Sequence, residues 1–145
     1  MKEAQMQTMF GKWLQERKSY SGAYELKIEK GKAFAFNKVK EHQIEALLQI
    51  GEGGLYHKIA DNPIFAGKKT RFHTVKPFDC VYLRHCIASI VLWYYVPRTP
   101  KMCFIIDIRS FLDIVENHTR KSIREYELDE YLNNVEYQIK KVRFA

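Results

Sequence analysis

The apolar residues of this chain change period several times, and each change marks an element. Over residues 2–17, Met6, Met9, Phe10, Trp13 and Leu14 recur at helical spacing and predict an amphipathic helix with that stripe turned inward. "SYSG" breaks the pattern, and the period drops to two across residues 23–29. There Tyr24, Leu26 and Ile28 share one face of a strand, while Glu25, Lys27 and Glu29 share the other. Taken alone, that alternation describes a half-buried strand with a solvated outer face. It also sets an acid two residues from a lysine, a pairing that suits a metal-binding carboxylate beside a catalytic lysine.

A Gly-Lys loop leads to a second helix, expected from about residue 38 to 50, with Asn37 as its cap and the glycines of "GEGG" as its stop. On that helix Val39, Gln43, Ala46 and Leu47 fall on one side, so polar Gln43 stands among core-facing neighbours. "LYHKIA" is a short strand, and residues 61–76 read as a long polar loop broken by Asn-Pro and Gly. "KPFDCVYL", "IASIVLWYYV" and "KMCFIIDI" predict three more strands, the last two separated by "PRTP". The second is apolar throughout, as a strand buried on both faces would be. Ser110 is expected to cap the helix "FLDIVENH", and Ser122 with Glu125 to form a capping box opening a helix to about residue 133. "VEYQIKKVRF" reads equally as a last strand or a frayed helix. The sum is an α/β protein, one mixed β-sheet flanked by helices, in a single domain spanning residues 1–145.

Charge narrows the partners. Twenty-four Lys and Arg against seventeen Asp and Glu leave a net +7, which favours nucleic acid first and an acidic membrane surface second. The cations come in short groups, "GKK" with Arg71, "HTRKSIR" and "KKVR", which suits phosphate contacts across a folded surface. An ordinary solvated surface is the other reading. The longest apolar run is too short to span a bilayer, and the charged amino terminus is no signal peptide, so a soluble cytoplasmic protein is expected. Cys80, Cys86 and Cys103 lie in apolar runs without close pairing, which points to reduced, buried thiols. His73, Cys80, His85 and Cys86 lack zinc-knuckle spacing. No serine elbow is present, and "GEGG" follows a helix rather than opening one, so it cradles no phosphate.

Asp79 sits behind Pro77 at the start of a strand, where a carboxylate can stay accessible. If that strand lies beside residues 23–29, Asp79 and Glu25 converge on one cation. Two carboxylates plus water suit Mg2+, with Mn2+ as a substitute, and Lys27 would orient the attacking water or neutralise phosphate charge. These three side chains form a minimal kit for metal-assisted phosphodiester hydrolysis. Each element also has an ordinary reading, since Glu-x-Lys arises often by chance and Asp79 can serve a turn.

The order of pieces adds a resemblance. "AYELKIEKGKAFAFNKVKEHQIEALLQIGEGGLYHKI" resembles the central block of RecU-type and phage-type Holliday junction resolvases, members of the PD-(D/E)xK nuclease superfamily. The shared pattern is a Glu-x-Lys strand, a basic loop, a helix opening "EHQIE", a glycine stop and another strand. "FIIDIRSFLDIVENHTRKSI" is similar to that family's closing strand and helix. The resemblance implies a restriction-endonuclease-like fold and a Mg2+-dependent DNA endonuclease acting on branched DNA in recombination or repair, working as a homodimer. By it, Glu25 is the metal-binding acid, Lys27 the catalytic lysine, and His42 and Gln43 open the helix behind the site, with Gln43 shaping it. Glu3 matches the helix-borne acid that completes the metal shell.

One departure stands out. The family's first aspartate precedes Glu-x-Lys, whereas here "PFD" follows it, so Asp79 is expected to have migrated onto another strand reaching the same cleft. The expected DNA contacts are Lys30, Lys32 and Lys38 around the basic loop, Lys68, Lys69, Arg71 and Lys76 in the insert, and Arg120 with Lys121. The alternative is a branched-DNA-binding module on a decayed nuclease fold.

Overall fold

The computed structural model describes residues 2–17, 22–52, 55–58, 80–83 and 87–143. Its centre is strand β5 (Ile87–Tyr94), buried along all but its first residue. That burial explains why the segment carries no alternation: helices cover both faces, so neither can be polar. On one side β5 pairs in parallel with β1 (Gly22–Glu29), and on the other antiparallel with β6 (Met102–Asp107). Strand β8 (Ile139–Arg143) pairs antiparallel with β6 and completes a mixed four-stranded sheet, ordered β1-β5-β6-β8. The ambiguous last segment is therefore a strand, because its Ile139 and Val142 continue the two faces of β6 opposite Ile106 and Cys103.

Helix α1 (Glu3–Gln15) covers one face of the sheet. Met6, Phe10 and Trp13 pack there with Val91, Trp93, Cys103 and Ile105, and Tyr24, Leu26 and Ile28 of β1 close the cluster. Burial alone pushes the Cys103 thiol up to about 12, so it stays a protonated, apolar side chain. The other face carries α2 (Glu41–Glu52) and α3 (Ile108–Asn117), packed over Ala88, Ile90, Leu92, Phe104 and Ile106. A short ribbon of β2 (Ala33–Ala35) and β7 (Ser122–Arg124) adds Phe34 and Ile123 to that core, and α4 (Glu125–Tyr131) adds Leu128. Strands β3 (Leu55–Lys58) and β4 (Cys80–Leu83) pair antiparallel as a separate ribbon.

The helix boundaries correct three expectations. Asn37 does not cap α2; a 3-10 turn over Phe36–Lys38 intervenes, and the helix starts at Glu41. Ser110 does not cap α3. Asp107 does, its side chain accepting the Arg109 N–H at 3.0 Å, while the Ser110 hydroxyl is buried and accepts the Gln138 N–H. Ser122 opens no capping box, because β2 recruits it into a strand; the Arg124 N–H donates instead to Glu127 at the start of α4. In each case the cap lies two or three residues from the expected one.

At the open end of β1, Gly22 lies directly opposite Ile87. A Cβ on Gly22 would stand 2.3 Å from the Ile87 carbonyl oxygen, so any side chain there would prise the parallel pair apart.

Candidate active site

The pleat of β1 sends Tyr24, Leu26 and Ile28 toward α1, and the intervening residues toward α2. Glu25, Lys27 and Glu29 thus face a protein layer rather than bulk water. The solvated outer face expected from alternation alone is absent: Lys27 and Glu25 keep 19% and 25% of their side-chain surface exposed, and Glu29 is buried. Three ionisable groups in a row on a covered face need partners, since desolvated charge is costly.

Glu25 finds two. Its Oε1 accepts from Gln43 Nε2 at 2.7 Å and lies 3.1 Å from Lys27 Nζ. The Gln43 amide is held from the other end as well, because its Oε1 accepts the backbone N–H of Lys40 at 2.9 Å. A backbone N–H can only donate, so the amide oxygen must face Lys40 and the amide nitrogen must face Glu25. The two bonds together fix the orientation of Gln43 and aim a donor at the carboxylate. Gln43 therefore works twice, closing the first turn of α2 and tying that turn to the middle of β1.

Glu29 lies four residues along the strand from Glu25, about 13 Å away at ordinary strand rise. It is fully engaged elsewhere, accepting the Gly31 N–H at Oε1 and pairing with Lys38 Nζ through Oε2. That separation and those partners remove it as a second ligand beside Glu25.

The other expected site residues fall as follows. Glu3 is exposed in the first turn of α1, the helix that covers the Tyr24 face of β1, opposite the face bearing Glu25. Asp79, Lys68, Lys69, Arg71 and Lys76 lie outside the described residues. The strand after Asp79, β4, pairs with β3 and not with β1 among the described residues. Lys30 and Lys32 are exposed in the turn between β1 and β2, and Lys121 is exposed beside β7. Lys38 is half-exposed but tied to Glu29, and Arg120 is tied to Glu127. His42 is exposed on α2.

Among the described residues no three His, Cys, Asp or Glu side chains cluster around a possible cation position. Glu25 Oε1 is engaged by Gln43 and Lys27, and among the described residues Oε2 makes no hydrogen bond. One open carboxylate oxygen fits a hard divalent cation as one of its six or so oxygen ligands, not as a complete site.

Two features escape the sequence reading. The first is the Lys40–Gln43 cap, whose signal was present as the x-x-x-Gln spacing of a capping box without the usual Ser or Thr. The second is a linked group between α3 and α4, in which exposed Arg120 caps the largely covered side chains of His118 and Glu127. His118 Nε2 lies 3.1 Å from Glu127 Oε2 without a hydrogen bond, and Arg120 and the Arg124 N–H donate to Oε1. Nothing in the spacing of those residues marks the cluster beforehand.

No protein-family model matches this chain, and neither a curated protein nor a solved structure matches it.

Proposed function

We propose that this chain is a Mg2+-dependent endonuclease that hydrolyses DNA phosphodiesters at branched, Holliday-junction-like structures on a restriction-endonuclease-like sheet. The observation that carries the reading is the linked trio Gln43, Glu25 and Lys27 on a covered strand face. The resolvase resemblance rests on the order of a Glu-x-Lys strand, a basic loop and a helix opening Glu-His-Gln. The side chains which that order singles out are drawn together here by hydrogen bonding.

A Mg2+ ion would take Glu25 Oε2, with Asp79 as the expected second carboxylate, and when bound it would supply positive charge at the scissile phosphate. Glu3, whose helix covers the opposite face of β1, is not part of that set. The chain's own residues do the rest. Gln43 holds the Glu25 carboxylate in one rotamer, so its free oxygen keeps a constant direction. Lys27 carries a cation to the same carboxylate, where its remaining N–H groups can orient a water or donate to a phosphate oxygen. Lys30, Lys32 and Lys121, exposed on the same chain, would hold backbone phosphates without reading base sequence. Paired cuts across a junction call for a symmetric homodimer.

The test compares four-way junction, flap and linear duplex DNA of shared sequence, incubated with the protein and Mg2+ or Mn2+. Junction cleavage that chelation stops, and that Glu25→Gln and Asp79→Asn abolish while DNA binding survives, is the expected result. Wild-type cutting by Asp79→Asn would remove the displaced aspartate from the site.

A second reading, a non-catalytic branched-DNA-binding module, is favoured by one observation: among the described residues Glu25 is the only acid in contact with Lys27 and Gln43. Salt-sensitive junction binding with no cleavage under either metal would select it.

A further inference from the structure

The net charge of +7 is not spread evenly over the fold, because the two ends of the sheet differ in sign. At the end where β1 begins and β6 finishes, Glu52, Asp107, Asp113 and Glu136 line one open cavity, with Arg109 as the one cation among the described lining residues. The opposite end is built from turns. There β1 runs out at Glu29 into exposed Lys30 and Lys32, and the Glu29 carbonyl accepts the Tyr95 N–H at 2.7 Å. That bond fastens the first turn to the hairpin joining β5 and β6, which carries Arg98 and Lys101. The last residue of β8, exposed Arg143, stands opposite Met102 at the same end. None of residues 30–32, 95–101 or 139–143 is acidic. Glu29, the acid that precedes the first turn, is buried and already paired with Lys38.

Arg98 stands apart in its backbone. Among the described residues it is the one side-chain-bearing position with a positive φ, 64°. Glycine enters that region freely, whereas an arginine there carries steric strain. The hairpin holds it nonetheless. Pro97 and Pro100 fix their own φ on either side. The Thr99 hydroxyl donates to the Val96 carbonyl at 2.8 Å, and the Met102 N–H donates to the Pro100 carbonyl at 3.0 Å. Arg98 is exposed, and neither it nor Lys30, Lys32 or Lys101 makes an ion pair among the described residues. A stiff, strained turn that presents a guanidinium to solvent suits capture of an anion from outside the chain.

Strands stand about 4.8 Å apart, so the three spacings from β1 to β8 spread these cations over about 14 Å. A B-DNA major groove is about 12 Å wide, and phosphates of the two strands face one another across it. We infer that this end of the sheet, with Arg98 at its tip, is a duplex-binding surface whose cations hold phosphates on both sides of one groove. The acidic far end turns the field of the molecule in the same sense and steers a polyanion here. An acidic protein segment would meet the same charges but would also need apolar anchors. Across residues 30–32 and 95–101, Val96 is the one large hydrophobic left exposed. The inference rests on the nucleic-acid part of the proposed function and uses none of its chemistry. Lys27 precedes Lys30 by three residues, about 10 Å along the strand, so a backbone held here passes close to the Glu25 carboxylate.

The experiment titrates a fluorescent linear duplex and a four-way junction of shared sequence with the protein, without divalent metal, across a series of salt concentrations. Wild-type affinity should fall as salt rises. Arg98→Gly/Lys101→Ala should bind both DNAs about tenfold more weakly, with a salt slope lower by about two. Glycine relaxes the strained turn, so that variant should keep its melting temperature. Lys30→Ala/Lys32→Ala, outside the hairpin, should lower the slope by a similar amount. Arg109→Ala, which removes a cation at the acidic end, should leave it unaltered. A slope unmoved in both double variants, or an equal fall in Arg109→Ala, would overturn the inference and leave the nuclease reading in place. Tighter binding of poly-glutamate than of duplex, lost in the double variants, would also overturn it, by assigning this end to an acidic protein. Salt-dependent binding without cleavage would uphold the inference and remove only the nuclease, whereas indifference to both DNAs would overturn the two together.

Discussion

Gln43 Nε2 donates to Glu25 Oε1 across 2.7 Å, which joins the first turn of α2 to the middle of β1. The bond spans eighteen residues of sequence and sets the direction of the carboxylate on which the proposed chemistry depends. Replacing Gln43 by Glu keeps an acceptor for the Lys40 N–H, so the helix cap survives. The donor to Glu25 is lost, and a second carboxylate takes its place. Single-turnover cleavage by Gln43→Glu should therefore fall roughly 10–100-fold, because the Glu25 carboxylate loses the donor that fixes its direction. Cleavage at the wild-type rate would detach Gln43 from the reaction.

Lys27 shares that carboxylate, with its Nζ 3.1 Å from Glu25 Oε1. Both side chains retain some exposure, so solvent screens the pair and its net worth to folding is about 1 kcal/mol or less. Lys27→Met should therefore leave the melting temperature nearly unchanged. If Lys27 acts on water or phosphate, the same variant should lose on the order of 10²-fold or more in single-turnover cleavage with DNA affinity preserved. Normal turnover would return Lys27 to the role of a neutralising partner.

Lys38 is a different case, because its partner Glu29 is buried with only 7% of its surface exposed. Removing the ammonium in Lys38→Met leaves that carboxylate with the Gly31 N–H alone. The expected cost is about 1–3 kcal/mol, read from urea unfolding. Adding Glu29→Gln should recover much of the loss by removing the unpaired charge, and failure to recover would show that Lys38 acts through its contact with the Phe34 ring instead.

Acid should loosen the α3–α4 side of the molecule. Desolvation alone would raise the Glu127 carboxyl, but the Arg120 hydrogen bond, the Arg124 N–H and the charges of Arg120 and His118 outweigh it and hold the group below the ordinary glutamate range. A carboxyl with a lowered folded-state pKa adds stability above its unfolded value, and that stability disappears as pH falls through the folded one. Stability measured by urea titration should thus drop as pH falls through about 4 and below. Glu127→Gln should be less stable at neutral pH and show a shallower acid decline; an identical slope would place the acid sensitivity elsewhere.

Much of the fold was legible in the chain. The Met6, Phe10 and Trp13 stripe forecast α1 and its buried face, and the unbroken apolar run of β5 forecast a central strand, because burial on one or two sides leaves a periodic trace. Cap positions were less legible. Asn37, Ser110 and Ser122 are all good capping residues, yet Lys40, Asp107 and Arg124 precede the helices, since pairing of β2 with β7 and the end of β6 decide where each helix can begin. The candidate site was half legible. Glu25 and Lys27 share a face by pleat alone, and Gln43 stood out as a polar residue among core-facing neighbours.

By itself, then, the sequence determined which residues share a face, because strand and helix periods are local properties of the backbone. It could not determine what lies over that face. The parallel pairing of β1 with β5 and the packing of α2 across them turned an apparently wetted row of charges into a covered one, with Gln43 and Lys38 brought in to meet it. Such contacts arise between residues distant in the chain, and only the folded arrangement of layers sets their distances.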